Sequence, residues 1–156
     1  MSDYTASTYG AGIADLSVEW DSGGDPVPIV QRLAALAGEG PALELGVGTG
    51  RIAIPLAAAG LDVHGIDASE AMVAKMRAKP GGPEIPVTVG DFAVTRVDKE
   101  FSLVYVVFNT LVSLLEQEEQ IRCFRNAADH LVPGGRFLIE CFFPDLGRFD
   151  RGQRLA

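Results

Sequence analysis

The chain has 156 residues, is 47% hydrophobic and 22% charged, and carries a formal net charge of −8. That length predicts one domain with a real core, and that balance a globular, soluble chain. A field of that sign repels phosphate backbones and argues against nonspecific nucleic-acid binding, and no apolar run approaches the length of a membrane helix.

Residues 1–24 are rich in Ser, Thr, Gly and Asp and read as an irregular lead. Asp3 and its polar neighbours stand where a signal peptide would have a basic start and an apolar core, so a cytoplasmic protein is expected. The domain proper is expected over 25–146. Asp25-Pro26 opens a helix, with a capping carboxylate followed by proline at the first position. Ile29, Val30, Leu33, Leu36 and Ala37 form its apolar face, and Gly38 ends it.

Next comes the stretch around which the rest is arranged, Glu44-Leu45-Gly46-Val47-Gly48-Thr49-Gly50-Arg51. An apolar run from Pro41 to Leu45 leads in, and a helical run from Ile52 to Ala59 leads out. Strand, glycine turn and helix make a nucleotide-binding βα unit. Gly46 lets the chain leave the strand at a φ that other residues resist. Gly48, lacking Cβ, lets a ligand lie against the backbone, and Gly50 lets the helix pack close to the strand.

A second strand, Val63-His64-Gly65-Ile66-Asp67, ends in a carboxylate able to accept hydrogen bonds from both hydroxyls of a ribose. Ser69 caps the next helix, with Met72, Val73 and Met76 inward, and Lys79-Pro80-Gly81-Gly82 breaks it. A third strand, Val87-Thr88-Val89, runs into Gly90-Asp91-Phe92, an acceptor beside an aromatic ring, suited to an adenine amine and its face. The fourth strand, Phe101 to Val107, is apolar at nearly every position, as a strand covered on both faces should be. It ends in Phe108-Asn109-Thr110. A long helix follows, roughly Glu116 to Leu131, with Ile121, Phe124, Ala128 and Leu131 on one face and acidic residues in its first turn. Phe137 to Phe143 is the fifth strand, and residues 147–156 read as an exposed tail. Alternating strands and helices predict a doubly wound, mostly parallel α/β sheet in the order 3-2-1-4-5, with its ligand crevice between strands 1 and 4.

The glycine loop, Gly65-Ile66-Asp67-Ala68-Ser69, Gly90-Asp91-Phe92 and Leu131-Val132-Pro133-Gly134-Gly135-Arg136-Phe137 together resemble the class I S-adenosylmethionine-dependent methyltransferases over roughly residues 25–145. The likeness is greatest to small-molecule members, including the sugar N-methyltransferases of bacterial secondary metabolism. A dinucleotide site wants G-x-G-x-x-G or G-x-G-x-x-A, and here Arg51 holds the third small position. An acidic Glu44 before the loop suits a cofactor bearing an ammonium and a sulfonium better than a pyrophosphate.

The resemblance implies S-adenosylmethionine as cofactor, with Gly46, Gly48 and Gly50 against its methionine part, Asp67 on the ribose and Asp91 on the adenine. Glu44 binds either the ligand or the loop's own amides. Phe92 stacks or packs, and Met72 lies against the adenine or fills the core. Phe108 joins the cofactor set. In related enzymes a tyrosine of the lead touches the methionine part; Tyr9 is that candidate, with a loosely ordered terminus as the alternative. Asn109 either orients an acceptor amine, as the one catalytic candidate, or braces the turn after strand 4.

Neither histidine looks like a general base: His64 lies within strand 2, and His130 ends the long helix, where a cation suits the dipole. Cys123 and Cys141 read as free, buried thiols. No metal is expected, since the sulfonium is already an activated electrophile and the enzyme's task is alignment and exclusion of water.

The expected activity is methyl transfer to nitrogen or oxygen of a small molecule. The alternative is a cofactor-binding subunit or fragment without turnover of its own. Family members usually continue past strand 5 with two more strands that pair as a hairpin, and the sequence is expected to stop short of them. Its apolar strand 5 is then expected to be an uncovered edge that either pairs with another copy or makes an aggregating fragment; a homodimer through that edge is the favoured reading, a geometry compatible with the partner's Arg148 to Arg154 tail near the crevice but not requiring it.

Overall fold

The computed structural model describes residues 25–142. The predicted lead, Phe143 and the arginine-rich tail lie outside the described residues.

The helices are α1 (Val27–Ala37), α2 (Ala53–Ala58), α3 (Glu70–Arg77) and α4 (Gln117–His130). The strands are β1 (Ala42–Leu45), β2 (Val63–Asp67), β3 (Val87–Val89), β4 (Phe101–Val106) and β5 (Leu131–Ile139), with a 3₁₀ turn at Thr110–Ser113. The five strands form one sheet in the order β3-β2-β1-β4-β5, and every pairing is parallel. Parallel neighbours need crossovers, and those crossovers bring helices onto the sheet.

Successive residues of a strand face opposite sides of the sheet, and the core divides accordingly. On one side Ala42, Leu103 and Tyr105 pack with Val30 and Leu33 of α1, Ala53 and Leu56 of α2 and Met76 of α3. On the other, Leu43, Leu45, Ile66, Val104 and Val106 pack with Cys123 and Ala127 of α4. Both faces of β1 and β4 are therefore buried, which explains their unbroken apolar runs. The carboxyl ends of β1, β2 and β3 carry the glycine loop, Asp67 and Gly90-Asp91.

Caps follow the sequence signals. Asp25 Oδ1 accepts the Val27 N–H at 2.9 Å ahead of α1. Ser69 Oγ accepts the Met72 N–H at 3.3 Å at the start of α3. Glu119 folds back to accept the Glu116 N–H at 3.2 Å at the start of α4.

Three expectations are corrected. β5 starts at Leu131 and ends at Ile139, against the expected Phe137 to Phe143. Leu131 pairs with Phe101, and the register then shifts so that Arg136 meets Leu103. The intervening Pro133-Gly134-Gly135 forms a bulge, with Gly134 at φ +82°. Helix α4 presents Cys123, Asn126, Ala127 and His130 inward, while Ile121, Phe124 and Ala128 are exposed. Cys123 is buried as expected, but Cys141 is exposed beyond the end of β5.

Candidate active site

The glycine loop turns through three left-handed glycines, Gly46 at φ +76°, Gly48 at +55° and Gly50 at +77°. Their surroundings differ. A Cβ on Gly46 would run into the side chain of Thr110, in the turn after β4. A Cβ on Gly50 would lie 2.5 Å from Met76 Cγ and 2.9 Å from Ile54 Cδ1. Gly50 thus admits α3 and α2 to the back of the loop, where the sequence reading had a helix approaching the strand. A Cβ on Gly48 would meet nothing within 4 Å. That face of the backbone is open. Lys79, just past α3, donates to Thr49 Oγ1 at 3.2 Å and braces the loop from behind.

Asp67 ties the loop to the next element. Its Oδ2 accepts the Gly48 N–H at 2.7 Å, and its Oδ1 accepts the Ser69 N–H at 2.8 Å. Burial raises its carboxyl above the ordinary range, and the two amide bonds act against that rise. Asp91 is organised similarly at the tip of β3, its Oδ1 accepting the Ala93 N–H at 2.8 Å. The parallel register, Leu45 beside Ile66 and Asp67 beside Val89, sets the three tips side by side. Met72 is buried in the first turn of α3. The Phe92 side chain is buried in the core with Leu43 and Leu45, a packing position. Tyr9 lies outside the described residues.

Glu44 is 3% exposed, on the α2 side of β1. Tyr105, its register partner on β4, donates its hydroxyl to Oε2 at 3.0 Å, and the Ala53 N–H at the start of α2 is a second partner. Burial, with Asp67 adding repulsion, pushes Glu44 up to about 8 despite those donors. The carboxyl binds the framework beneath the loop.

The turn after β4 forms the facing wall. Phe108 and Asn109 both take left-handed backbone, at φ +55° and +61°. Asn tolerates that region; for Phe it is an outlier that costs about 1–2 kcal/mol. The Arg51 guanidinium lies 4.2 Å from the Phe108 ring centroid, a cation–π contact that joins the turn to the loop. Asn109 Oδ1 accepts the N–H of Phe142, so its side chain braces the turn.

Residues 42–135 match the family described as methyltransferase domain. The chain belongs to that family. The cypemycin N-terminal methyltransferase of Streptomyces sp is 36% identical over 102 residues, covering 65% of this chain and 42% of that protein. Among solved structures, the CcbJ methyltransferase from Streptomyces caelestis is 45% identical with a TM-score of 0.79, covering 87% of this chain and 58% of that one. The glycopeptide N-methyltransferase MtfA, solved with S-adenosyl-L-methionine, is 25% identical with a TM-score of 0.65, covering 74% of this chain and 54% of that one. The chain spans less than half the length of the curated relatives it matches.

Several features of this methyltransferase domain escape a reading of the sequence. Tyr105 is hidden in an aliphatic strand, and only the β1–β4 register shows that it faces Glu44. Glu140, whose carboxylate accepts the Phe108 N–H at 3.1 Å, carries no motif signal at all. His130 is a correction: its Nε2 accepts the Val97 N–H at 2.9 Å, and its Nδ1 lies 2.7 Å from the Asn126 carbonyl, to which it must donate. That fixes a neutral Nδ1–H tautomer rather than the expected cation, and burial lowers its pKa accordingly. His64 sits low on β2 beside Asp62 at 3.2 Å, away from the strand tips.

Proposed function

We propose that this domain binds S-adenosylmethionine along the tips of β1, β2 and β3 and serves methyl transfer to a nitrogen or oxygen of a small molecule. The observation that carries the reading is the open face at Gly48, a cradle that any Cβ would fill, within a chain of the methyltransferase domain family. Gly46 to Gly50 would receive the methionine part, Asp67 the ribose and Asp91 the adenine amine. Met72 would flank the nucleoside and Phe108 the methionine part, Phe92 would pack beneath the site, and Tyr9 would approach from the lead. S-adenosylmethionine supplies an activated methyl group, open to in-line displacement with inversion at carbon.

The chain's own residues do the positioning. Asp67 holds the loop by Gly48 N–H and the start of α3 by Ser69 N–H, so both sides of a ribose pocket share one anchor. Phe108 and Arg51 narrow the mouth from the β4 side and help exclude water. Asn109, engaged by Phe142, braces that wall. The names of two relatives, the cypemycin N-terminal methyltransferase and the glycopeptide N-methyltransferase MtfA, support an amine as acceptor.

The same proposal places the protein in the cytoplasm, supported by its two free cysteines. It also joins two copies along β5, supported by that strand's place at the edge of the sheet among the described residues and by exposed Phe142 beyond it. Light scattering tests the pairing, and a monomer at high concentration refutes it.

The deciding experiment is calorimetric titration with S-adenosylhomocysteine, followed by a methyl-acceptor screen. Asp67→Ala removes a charged acceptor worth about 1.5–3 kcal/mol, a weakening of roughly ten- to a hundredfold. Equal curves for wild type and variant, or tighter binding of NAD, would overturn the assignment.

A further inference from the structure

We propose that Glu140 is a positioning residue for this site: it holds the left-handed Phe108–Asn109 turn as the wall that faces the glycine loop. The inference rests on the reading of the crevice as a cofactor site.

Two consecutive non-glycine residues in left-handed backbone persist only where their surroundings over-determine them. The surroundings here converge on one residue. Glu140 is anchored to β4 by its own N–H, which donates to the Val106 carbonyl at 2.9 Å. Its carbonyl accepts the Asn109 N–H at 3.3 Å, and its carboxylate Oε2 accepts the Phe108 N–H at 3.1 Å. Two residues on, the Phe142 N–H closes the clamp on Asn109 Oδ1. The side-chain bond is charge-assisted and falls on the more strained of the two residues.

The turn so held touches the glycine loop at two places. Arg51 lies over the Phe108 ring, and the Thr110 side chain fills the space that only a glycine at position 46 leaves. Releasing the Phe108 N–H lets that residue relax toward ordinary backbone and carries its ring off Arg51. The wall then loses both its shape and its contact with the loop.

Glu140→Ala and Glu140→Gln in the full 156-residue chain test this. Glu140→Ala is expected to keep the wild-type unfolding temperature, to speed exchange of the Phe108 amide by about tenfold, and to weaken S-adenosylhomocysteine binding by about tenfold. Glu140→Gln keeps an acceptor oxygen and is expected to restore both. Unchanged exchange in the alanine variant overturns the proposal, as does unchanged affinity with faster exchange, or a glutamine variant no better than alanine. A wild-type chain that does not bind S-adenosylhomocysteine overturns the cofactor reading instead, and the exchange comparison then decides the brace alone.

Discussion

Gly48 and Gly50 offer one substitution with two separable consequences. Both are left-handed, at φ +55° and +77°, so alanine at either position carries a backbone cost of about 1–2 kcal/mol. At Gly48 nothing lies within 4 Å of the new methyl, and that cost is the whole loss of stability. At Gly50 the methyl meets Met76 Cγ at 2.5 Å and Ile54 Cδ1 at 2.9 Å. Met76 is fully buried and has nowhere to yield, so overpacking adds about 1–3 kcal/mol, for a total of about 2–5 kcal/mol. Urea unfolding should therefore rank wild type, Gly48→Ala and Gly50→Ala in falling order. On the proposed cofactor site, calorimetry with S-adenosylhomocysteine should show the Gly48→Ala protein, still folded, losing most of its affinity, because the methyl would enter the open side of the backbone. Equal destabilisation by the two substitutions, or full affinity in Gly48→Ala, would refute the division of labour within the loop.

Glu44 makes stability depend on pH. Its folded pKa of about 8 lies above the ordinary 4.5, so the folded state keeps a proton that the unfolded chain gives up. The contribution is complete below 4.5 and is lost as pH rises through about 8; Glu44→Gln should flatten that decline in urea midpoints. His130 has the opposite sign: its lowered pKa makes its contribution full above the ordinary 6.5 and lost as pH falls. Nitrogen-15 shifts at neutral pH should show a protonated Nδ1 and a bare Nε2, and an imidazolium would contradict the bonds to Val97 and Asn126. Ellman's reagent should label Cys141 promptly in the native protein and leave Cys123 unreacted, because burial pushes the Cys123 thiol up to about 12.

The sheet was legible because its signals are local. Ala42–Leu45 and Phe101–Val106 are mostly apolar strands that begin after Pro41 and Glu100, Val63–Asp67 is a short strand that ends in its own carboxylate, and the alternation of strand and helix leaves few orders for them. The places of the tip residues were legible for the same reason, since Gly46 follows β1 directly, Asp67 closes β2 and Asp91 lies two residues past β3. What escaped is set by tertiary pairing. The inward face of α4 includes Asn126 and His130, which no hydropathy pattern places inside. They are buried because Asn126 Nδ2 donates to the Phe92 and Thr95 carbonyls and His130 takes the Val97 N–H. Phe124, expected inside, instead sets its ring edge-on to Phe137 of β5 at 5.4 Å. The start of β5 was hidden because Pro133-Gly134-Gly135 reads as a turn, whereas the strand passes through it as a bulge.

That use of α4 bears on the order in which the molecule can be completed. During synthesis, β1, the glycine loop, β2 and β3 all leave the ribosome well before residue 126. The Phe92 and Thr95 carbonyls and the Val97 amide then have only water for company. The segment that follows Asp91 acquires its lasting partners when α4 docks, from some thirty residues downstream. A nascent chain halted before Asn126 would carry the glycine loop, Asp67 and Asp91 but none of the α4 bonds to residues 92–97. The outermost of the three tips thus takes lasting hydrogen-bond partners from a helix made after β4, although its own residues are made before that strand.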